Sequence, residues 1–438
     1  MNPQPWLADK VHGEVVMSKT YTHYVGIDCG NRSHHMYVVD EAGAGVHHQS
    51  FDHNRAGLSA LIDALLACTP DLSSVVASLE APVGGLVEEL QSWGVTVVTI
   101  NPKQLDRFRD RFTVSGAKDD RLDALVLAQS LRTDRHLFRE VHPLPPMVAE
   151  LWEYSREEEV TQRERRRVTN RLYAKVQTLY PSLLDLCPGA DEPWLWALLS
   201  RLNPTRRTRR PGQAELDRLL RKHRIRRISA ATVSTAVTEG PMRLPSGRAR
   251  GLWVSIEELL TRLVALDAQH RAQRGRIRRM VRQLSKTEGD DGRVVRQLLS
   301  LPGVGEQLAA MILSEAYHLL HSRDLKRLRS YSGAAPVTRQ SGGRTVHVMR
   351  KACSRRLRRA IHMFALGSIR LDDAARAYYQ DLRSRGKRVG QALRSLSERF
   401  LRILIQMLKT QTLYDPKRLK CWNNLNNFNI VQGQNALA

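Results

Sequence analysis

The sequence predicts an α/β N-terminal domain, a long helical coiled-coil middle and a mainly helical, basic C-terminal domain. Three observations lead there. β-Branched apolar runs alternate with turn and helix signals from Tyr24 to Leu131, two later segments carry narrow apolar stripes amid dense charge, and the charge changes sign along the chain. Residues 1–150 hold 13 Lys+Arg against 19 Asp+Glu (net −6), whereas residues 151–438 hold 56 against 25 (net +31). A chain of 438 residues exceeds one ordinary core, so two to four domains are expected. The arginine-rich positive half points to a polyanionic partner, because the planar guanidinium suits phosphates and base edges.

The first domain, residues 20–145, opens with YVGIDCGNRSHHMYVVD. The apolar runs Tyr24–Ile27 and Met36–Val39 flank a Cys29-Gly30-Asn31 turn, which predicts a β-hairpin. Val46–His53 supplies a third strand, and Ala56–Ala67 has helical spacing at Leu58, Leu61, Leu65 and Leu66. Ser74–Leu79 reads as a buried strand ending on Glu80, followed by a short helix over Leu86–Trp93. Val95–Ile100 is a further strand closed by Asn101-Pro102. Helical residues around Leu105 and Phe108 and a helix over Arg121–Leu131 complete the domain. Three strands and a helix, then alternating strands and helices, is the order of an RNase H-like domain.

In that order the acids stand out. Asp28 follows an apolar run, where a lone carboxylate is costly unless paired, hydrogen-bonded or bound to a cation. Glu80 ends the fourth strand. Asp120 and Asp123, three apart, share one face of a late helix. Singly, each also fits a strand end in water or the N-terminal end of a helix dipole. Together, four carboxylates brought to one sheet edge could hold two divalent ions for phosphoryl transfer, and all-oxygen ligands suit Mg²⁺. Asp119 substitutes for Asp120 if the helix starts one residue earlier.

The middle, residues 146–295, carries a stripe at Val160, Val168, Leu172, Val176 and Leu179 and another from Leu259 to Leu284. Such stripes are too thin for a globular core and predict long helices packed on each other or across a dimer. Between them lies an irregular, Arg-rich insert, with NPTRRTRRPG and RKHRIRR as linkers or phosphate-tracking arms. In the C-terminal domain, residues 296–412, LPGVG enters an apolar helix and resembles half of a helix-hairpin-helix, whose turn amides approach a phosphate. Farther on, Ser341 lies in a glycine-rich loop, Ser341-Gly342-Gly343, between Arg339 and Arg344. Glycines let a backbone approach closely, and the cations favour attack of a serine on phosphate. Arg350, Lys351, Arg355 and Arg358 extend the basic stretch beside a helix whose other face carries Leu357, Ile361, Phe364 and Leu366, a nucleic-acid-facing surface. From residue 413 an Asn-rich tail predicts little order.

Five scattered cysteines without CxxC spacing suggest neither a zinc site nor a disulfide framework, and the default setting is a reducing cytoplasm. The N-terminus lacks a signal-peptide pattern, and no run has the length of a membrane helix.

Several motifs, in order, resemble the DEDD transposases of the insertion sequence 110 family, the bridge-RNA-guided serine recombinases. YVGIDCGNRSHH resembles the family's opening segment and SLEAPVGG its Glu-bearing strand. NPKQLDRFRDRFTVSGAKDDRLDALVLAQSL resembles its N-P…K-x-D-x-x-D-A signature, and LPGVG…YSGAAPVTRQSGG…RRLRRA its C-terminal domain. The resemblance spans roughly residues 22–140 and 296–412. It implies that Asp28, Glu80, Asp120 and Asp123 bind metal in a RuvC-like domain and that Ser341 forms a phosphoserine link with cleaved DNA. It also implies a composite site shared across a homo-oligomer, dimer or tetramer, with donor and target DNA paired to a structured bridge RNA in a bacterial cytoplasm. Two departures stand out. Cys353 replaces an expected glycine, and the middle is long for the family.

The reading reached from sequence is therefore a Mg²⁺-assisted DNA transposase or recombinase acting through Ser341. A metal-dependent nuclease or junction resolvase without a covalent intermediate, and a non-catalytic nucleic-acid-binding protein, are the alternatives.

Overall fold

A computed structural model describes residues 20–80, 85–112, 119–204 and 209–416. The chain divides into two compact units, one combining Met1–Ala149 with Gln283–Ala438 and the other comprising Glu150–Arg282.

The first part of the larger unit is a sheet between helices. β1 (His23–Cys29), β2 (Ser33–Asp40) and β3 (Gly45–Asp52) form an antiparallel meander. β4 (Val75–Leu79) and β5 (Thr96–Thr99) run parallel to β1, and β6 (Arg139–Glu140) returns antiparallel, giving the order β3-β2-β1-β4-β5-β6. Alternation along β1 decides which helix covers which face. Val25 and Ile27 join the core under α1 (Arg55–Cys68) and α2 (Leu86–Ser92). Tyr24 packs with the core under α3 (Pro102–Arg109) and α4 (Asp120–Asp134). Gly26 makes the second packing possible: a Cβ there would lie 2.0 Å from the Ala124 carbonyl oxygen of α4. The α/β expectation holds element by element, with boundaries moved by up to three residues. The two-residue β6 lies outside it.

The remainder of the larger unit is helical around one hairpin. α11 (Asp290–Ser300), α12 (Glu306–His321) and α13 (Leu325–Tyr331) precede β7 (Val337–Ser341) and β8 (Arg344–Val348). α14 (Arg355–Leu371), α15 (Asp373–Ser384) and α16 (Val389–Thr410) follow. The PGVG turn joins α11 to α12 with Gly303 at φ +86°, and a Cβ there would stand 2.7 Å from the Gly367 carbonyl carbon of α14. That face of the turn is therefore closed by protein. Phe364 of α14 stacks on Phe400 of α16 at 4.5 Å between centroids, and Gln297 ties α11 to the end of α16 through Met407 O and Thr412 O. Of the expected apolar face of α14, Leu357, Ile361 and Phe364 are buried, whereas Leu366 is exposed.

In the smaller unit α5 (Pro146–Leu179) and α10 (Ser246–Lys286) lie antiparallel, joined by His270 to Glu158 at 2.8 Å and Arg165 to Asp267 at 3.4 Å. The expected pairing of the two long helices is present. Parts of their stripes, within residues 168–179 and 256–266, do however belong to a globular core, whereas Val160 is exposed. The segment between them folds into α6 (Ser182–Leu186), α7 (Pro193–Leu202), α8 (Gln213–Lys222) and α9 (Ala230–Glu239). Leu172, Val176 and Leu263 pack with Trp194, Trp196, Leu199, Leu219 and Val237. The insert is thus mostly ordered helix rather than irregular, because PWLWALLSRL brings two large aromatic side chains and four leucines to the thin stripes. Of the NPTRRTRRPG stretch, residues 205–208 lie outside the described residues, as does the tail from residue 417. Trp194 is fully buried and donates its indole N–H to Glu192 at 3.0 Å. Trp194→Ala is expected to cost about 3–5 kcal/mol of the smaller unit's stability, measured by urea unfolding followed by circular dichroism. A loss below about 1 kcal/mol would mean that the insert is not part of this core.

Candidate active site

The parallel register sets Ile27 opposite Leu79, so the next residues, Asp28 and Glu80, leave two adjacent central strands side by side. Both are partly exposed. Their shared neighbourhood registers on Cys29, whose thiol is pushed up to about 12, first by burial and then by the charges of Asp28 and Glu80. α4 brings the other acids. Asp119 caps the helix, its carboxylate accepting the Arg121 amide at 3.1 Å, and this settles the helix start: Asp119 is engaged locally and Asp120 is the first helical residue. Asp120 is exposed and Asp123, one turn on, is 3% exposed. Gly26 permits the approach that carries this end of α4 to the β1 strand end.

Asp123 has a partner that spacing alone did not reveal. Arg109, the last residue of α3, donates from Nε to Asp123 Oδ1 at 2.6 Å, and its Nη1 reaches Asp106 Oδ1 at 3.3 Å. Burial works against the Arg109 charge. Its hydrogen bond to Asp123 and the charges of Asp123, Asp106 and Glu80 nevertheless hold its pKa above the usual arginine value. A second neighbour not singled out from sequence is His35, which faces Asp28 across the β1–β2 ladder and bonds through Nε2 to Ser50 Oγ at 3.0 Å. The His34-His35 dipeptide on an alternating strand was the available signal, since it must point one histidine to each face.

The donor set is all carboxylate oxygen on two strand ends and one helix turn, which fits a hard divalent cation. No three of these four acids bring ligand atoms within 4.8 Å of one another in this structure. Among the described residues, the group of three or more metal-capable side chains whose ligand atoms lie within 4.8 Å of one another is Cys187, Asp191 and Glu192, in the smaller unit. There Glu192 already accepts from Trp194 and Arg227, and burial pushes the Cys187 thiol up to about 11. That cluster is a satisfied hydrogen-bond network.

Ser341 sits on a hairpin rather than in an open loop. It ends β7, pairs with Arg344 at the start of β8, and the two are joined by Gly342-Gly343 with Gly342 at φ +56°. A positive φ at this position is the reason for glycine. Every residue from Thr338 to His347 is exposed, including Arg339, Ser341 and Arg344. The basic residues beyond it divide. Lys351 and Arg355 are exposed, whereas Arg358 turns inward and donates from Nη2 to the Arg350 carbonyl and to Cys353 Sγ. Cys353 is 2% exposed, packed against Gly333, where a Cβ would meet its sulfur at 2.9 Å. The departure at Cys353 is therefore a small buried side chain closing the turn before α14. Ser354, which caps α14, and Arg356 both bond to the buried Glu315, at 2.9 and 2.7 Å.

Sequence comparison supplies the remaining constraint. Residues 25–181 match a family model for the DEDD transposase of IS110, described as "Transposase", and residues 295–380 match one described as "Transposase IS116/IS110/IS902 family". The "Mini-circle putative transposase for IS117" of Streptomyces coelicolor is 30% identical over 409 residues, covering 91% of this chain and 96% of that protein. The chain belongs to the IS110 transposase family. An IS110 insertion-element protein of the same organism is 27% identical over 90% of this chain and 96% of its own length. The "Putative transposase y4uE" of Sinorhizobium fredii is 39% identical across 47% of this chain and 58% of that protein. Membership makes this IS110-family chain a DNA-processing enzyme, and both matched segments contain the candidate residues, the four acids in one and Ser341 in the other. Among the described residues no helix is long and apolar enough to cross a membrane.

Proposed function

We propose that this IS110-family transposase cuts and rejoins DNA by two transesterifications at Ser341, assisted by divalent metal at an RNase H-like acid site. In the first step Ser341 Oγ attacks a phosphodiester phosphorus. The Oγ–P bond forms, the P–O bond to the neighbouring nucleotide breaks, and the serine proton leaves with the departing strand-end hydroxyl. In the second, the hydroxyl of another strand attacks the phosphoserine, the new phosphodiester forms, and Ser341 recovers its proton. Bond energy is kept in the ester, so no ATP is required. Arg339 and Arg344 stand on the same hairpin and are suited to draw the phosphate to Oγ and to stabilise charge on its oxygens.

The observation that carries the reading is the placement of Ser341. It lies exposed at a two-glycine turn between arginines, in a chain that aligns over nearly its whole length with a transposase. Asp28, Glu80, Asp120 and Asp123 would hold Mg²⁺, which when bound lowers the cost of charge on the attacking and leaving oxygens. The order of strands and the two acids leaving adjacent central strands support an RNase H-like assignment. The net +31 of residues 151–438 supports a polyanionic assembly of donor DNA, target DNA and a structured guide RNA, and a homo-oligomer would bring acids and serine of different subunits together.

A denaturing gel of protein, element RNA, Mg²⁺ and labelled donor DNA tests this. Wild type should yield a slow, protease-sensitive labelled band that Ser341→Ala lacks. Cleavage by both proteins without such a band would make the chain a metal-only nuclease instead.

A further inference from the structure

Asp123 is the most enclosed of the four acids, and a carboxylate stripped of water needs a cation. Arg109 supplies it at 2.6 Å. The same guanidinium lies 3.3 Å from Asp106, whose side chain is 66% exposed, and it also feels the charge of Glu80. One arginine therefore bridges an acid of the proposed metal site and a second, solvent-facing acid on its own helix. That contact takes one lone pair of Oδ1, and a metal ion on the remaining lone pairs of the Asp123 carboxylate would stand beside the guanidinium charge.

We propose that Arg109 is a built-in cation that occupies the place of metal charge at Asp123 and yields it when a divalent ion binds, with Asp106 as the berth to which the guanidinium retreats. Arg109 is thus a positioning residue that sets how tightly the acid site holds metal. The inference rests on the metal-site reading above. Two like charges beside one carboxylate repel each other, so the arginine keeps the acids charged and folded without metal and opposes metal entry. The exposed Asp106 makes the exchange cheap, because the guanidinium keeps a partner throughout.

Isothermal titration of the full-length protein with Mn²⁺, alongside thermal melts with and without Mn²⁺, tests the exchange. Arg109→Gln should bind Mn²⁺ about tenfold more tightly than wild type while melting lower in the absence of metal, and saturating Mn²⁺ should narrow that gap. Asp106→Asn, at an exposed position that does not threaten folding, should weaken Mn²⁺ binding about threefold by removing the berth. Arg109→Lys keeps the charge and should bind within a factor of two or so of wild type. Weaker or unchanged binding in Arg109→Gln would overturn the proposal and leave Arg109 as scaffold for Asp123. Should Arg109→Gln fail to fold, unchanged Mn²⁺ affinity in Asp106→Asn overturns it on its own. Absence of Mn²⁺ binding by wild type would bring down the metal-site reading itself, and the exchange with it.

Discussion

Asp28→Ala is expected to reduce DNA strand cleavage on the order of 10³-fold, about 4 kcal/mol of transition-state stabilisation, with folding retained. Asp28 stands at the end of a central strand, partly exposed, with Glu80 beside it, so its removal relieves like-charge crowding and, under the proposed reading, deletes a metal ligand. The melting temperature should consequently hold or rise slightly. Cleavage of labelled donor DNA at saturating Mg²⁺ is the measurement, with gel-shift affinity for DNA as the control. Cleavage within tenfold of wild type would remove Asp28 from the chemistry and favour a solvated strand-end role.

Gly26→Ala should produce the second large effect by geometry alone. The added Cβ would meet the Ala124 carbonyl oxygen at 2.0 Å and the Ala128 nitrogen at 2.6 Å, both backbone, so no side-chain rotation relieves the clash. α4 has to lift from β1, at a cost of about 1–3 kcal/mol or more. Asp120 and Asp123 move away from Asp28 with it. Cleavage should fall at least about 100-fold in protein that still binds DNA, since misplacement by an ångström is that costly. A variant with wild-type cleavage and stability would show that the acids do not depend on this approach.

The strands were legible because alternation of apolar residues is a direct consequence of burying one face at a time. β1 to β5 and the helices between them fall within three residues of their expected limits. β6 escaped because Arg139-Glu140 has neither length nor apolar character, and only its pairing with β5 makes it a strand. In the smaller unit the prolines and arginines around 203–212 have the local composition of a linker, whereas the neighbouring PWLWALLSRL supplies through its tryptophans the core that the stripes of α5 and α10 lack. For the site, the four acids and Ser341 could be named from spacing and resemblance, and the capping of α4 by Asp119 fixes where that helix starts. Arg109 could not be found this way. Its link to Asp123 crosses two helices whose relative placement no local pattern encodes.

The central claim is that Ser341 becomes covalently joined to DNA, and peptide mass spectrometry tests it most directly. The covalent complex formed with Mg²⁺, element RNA and donor DNA would be digested with nuclease and then trypsin. Cleavage after Arg339 and Arg344 isolates Gln340-Ser341-Gly342-Gly343-Arg344. The account predicts this peptide carrying a nucleotide phosphate on Ser341. Recovery of the unmodified peptide alone, or of the nucleotide on another residue, would contradict it.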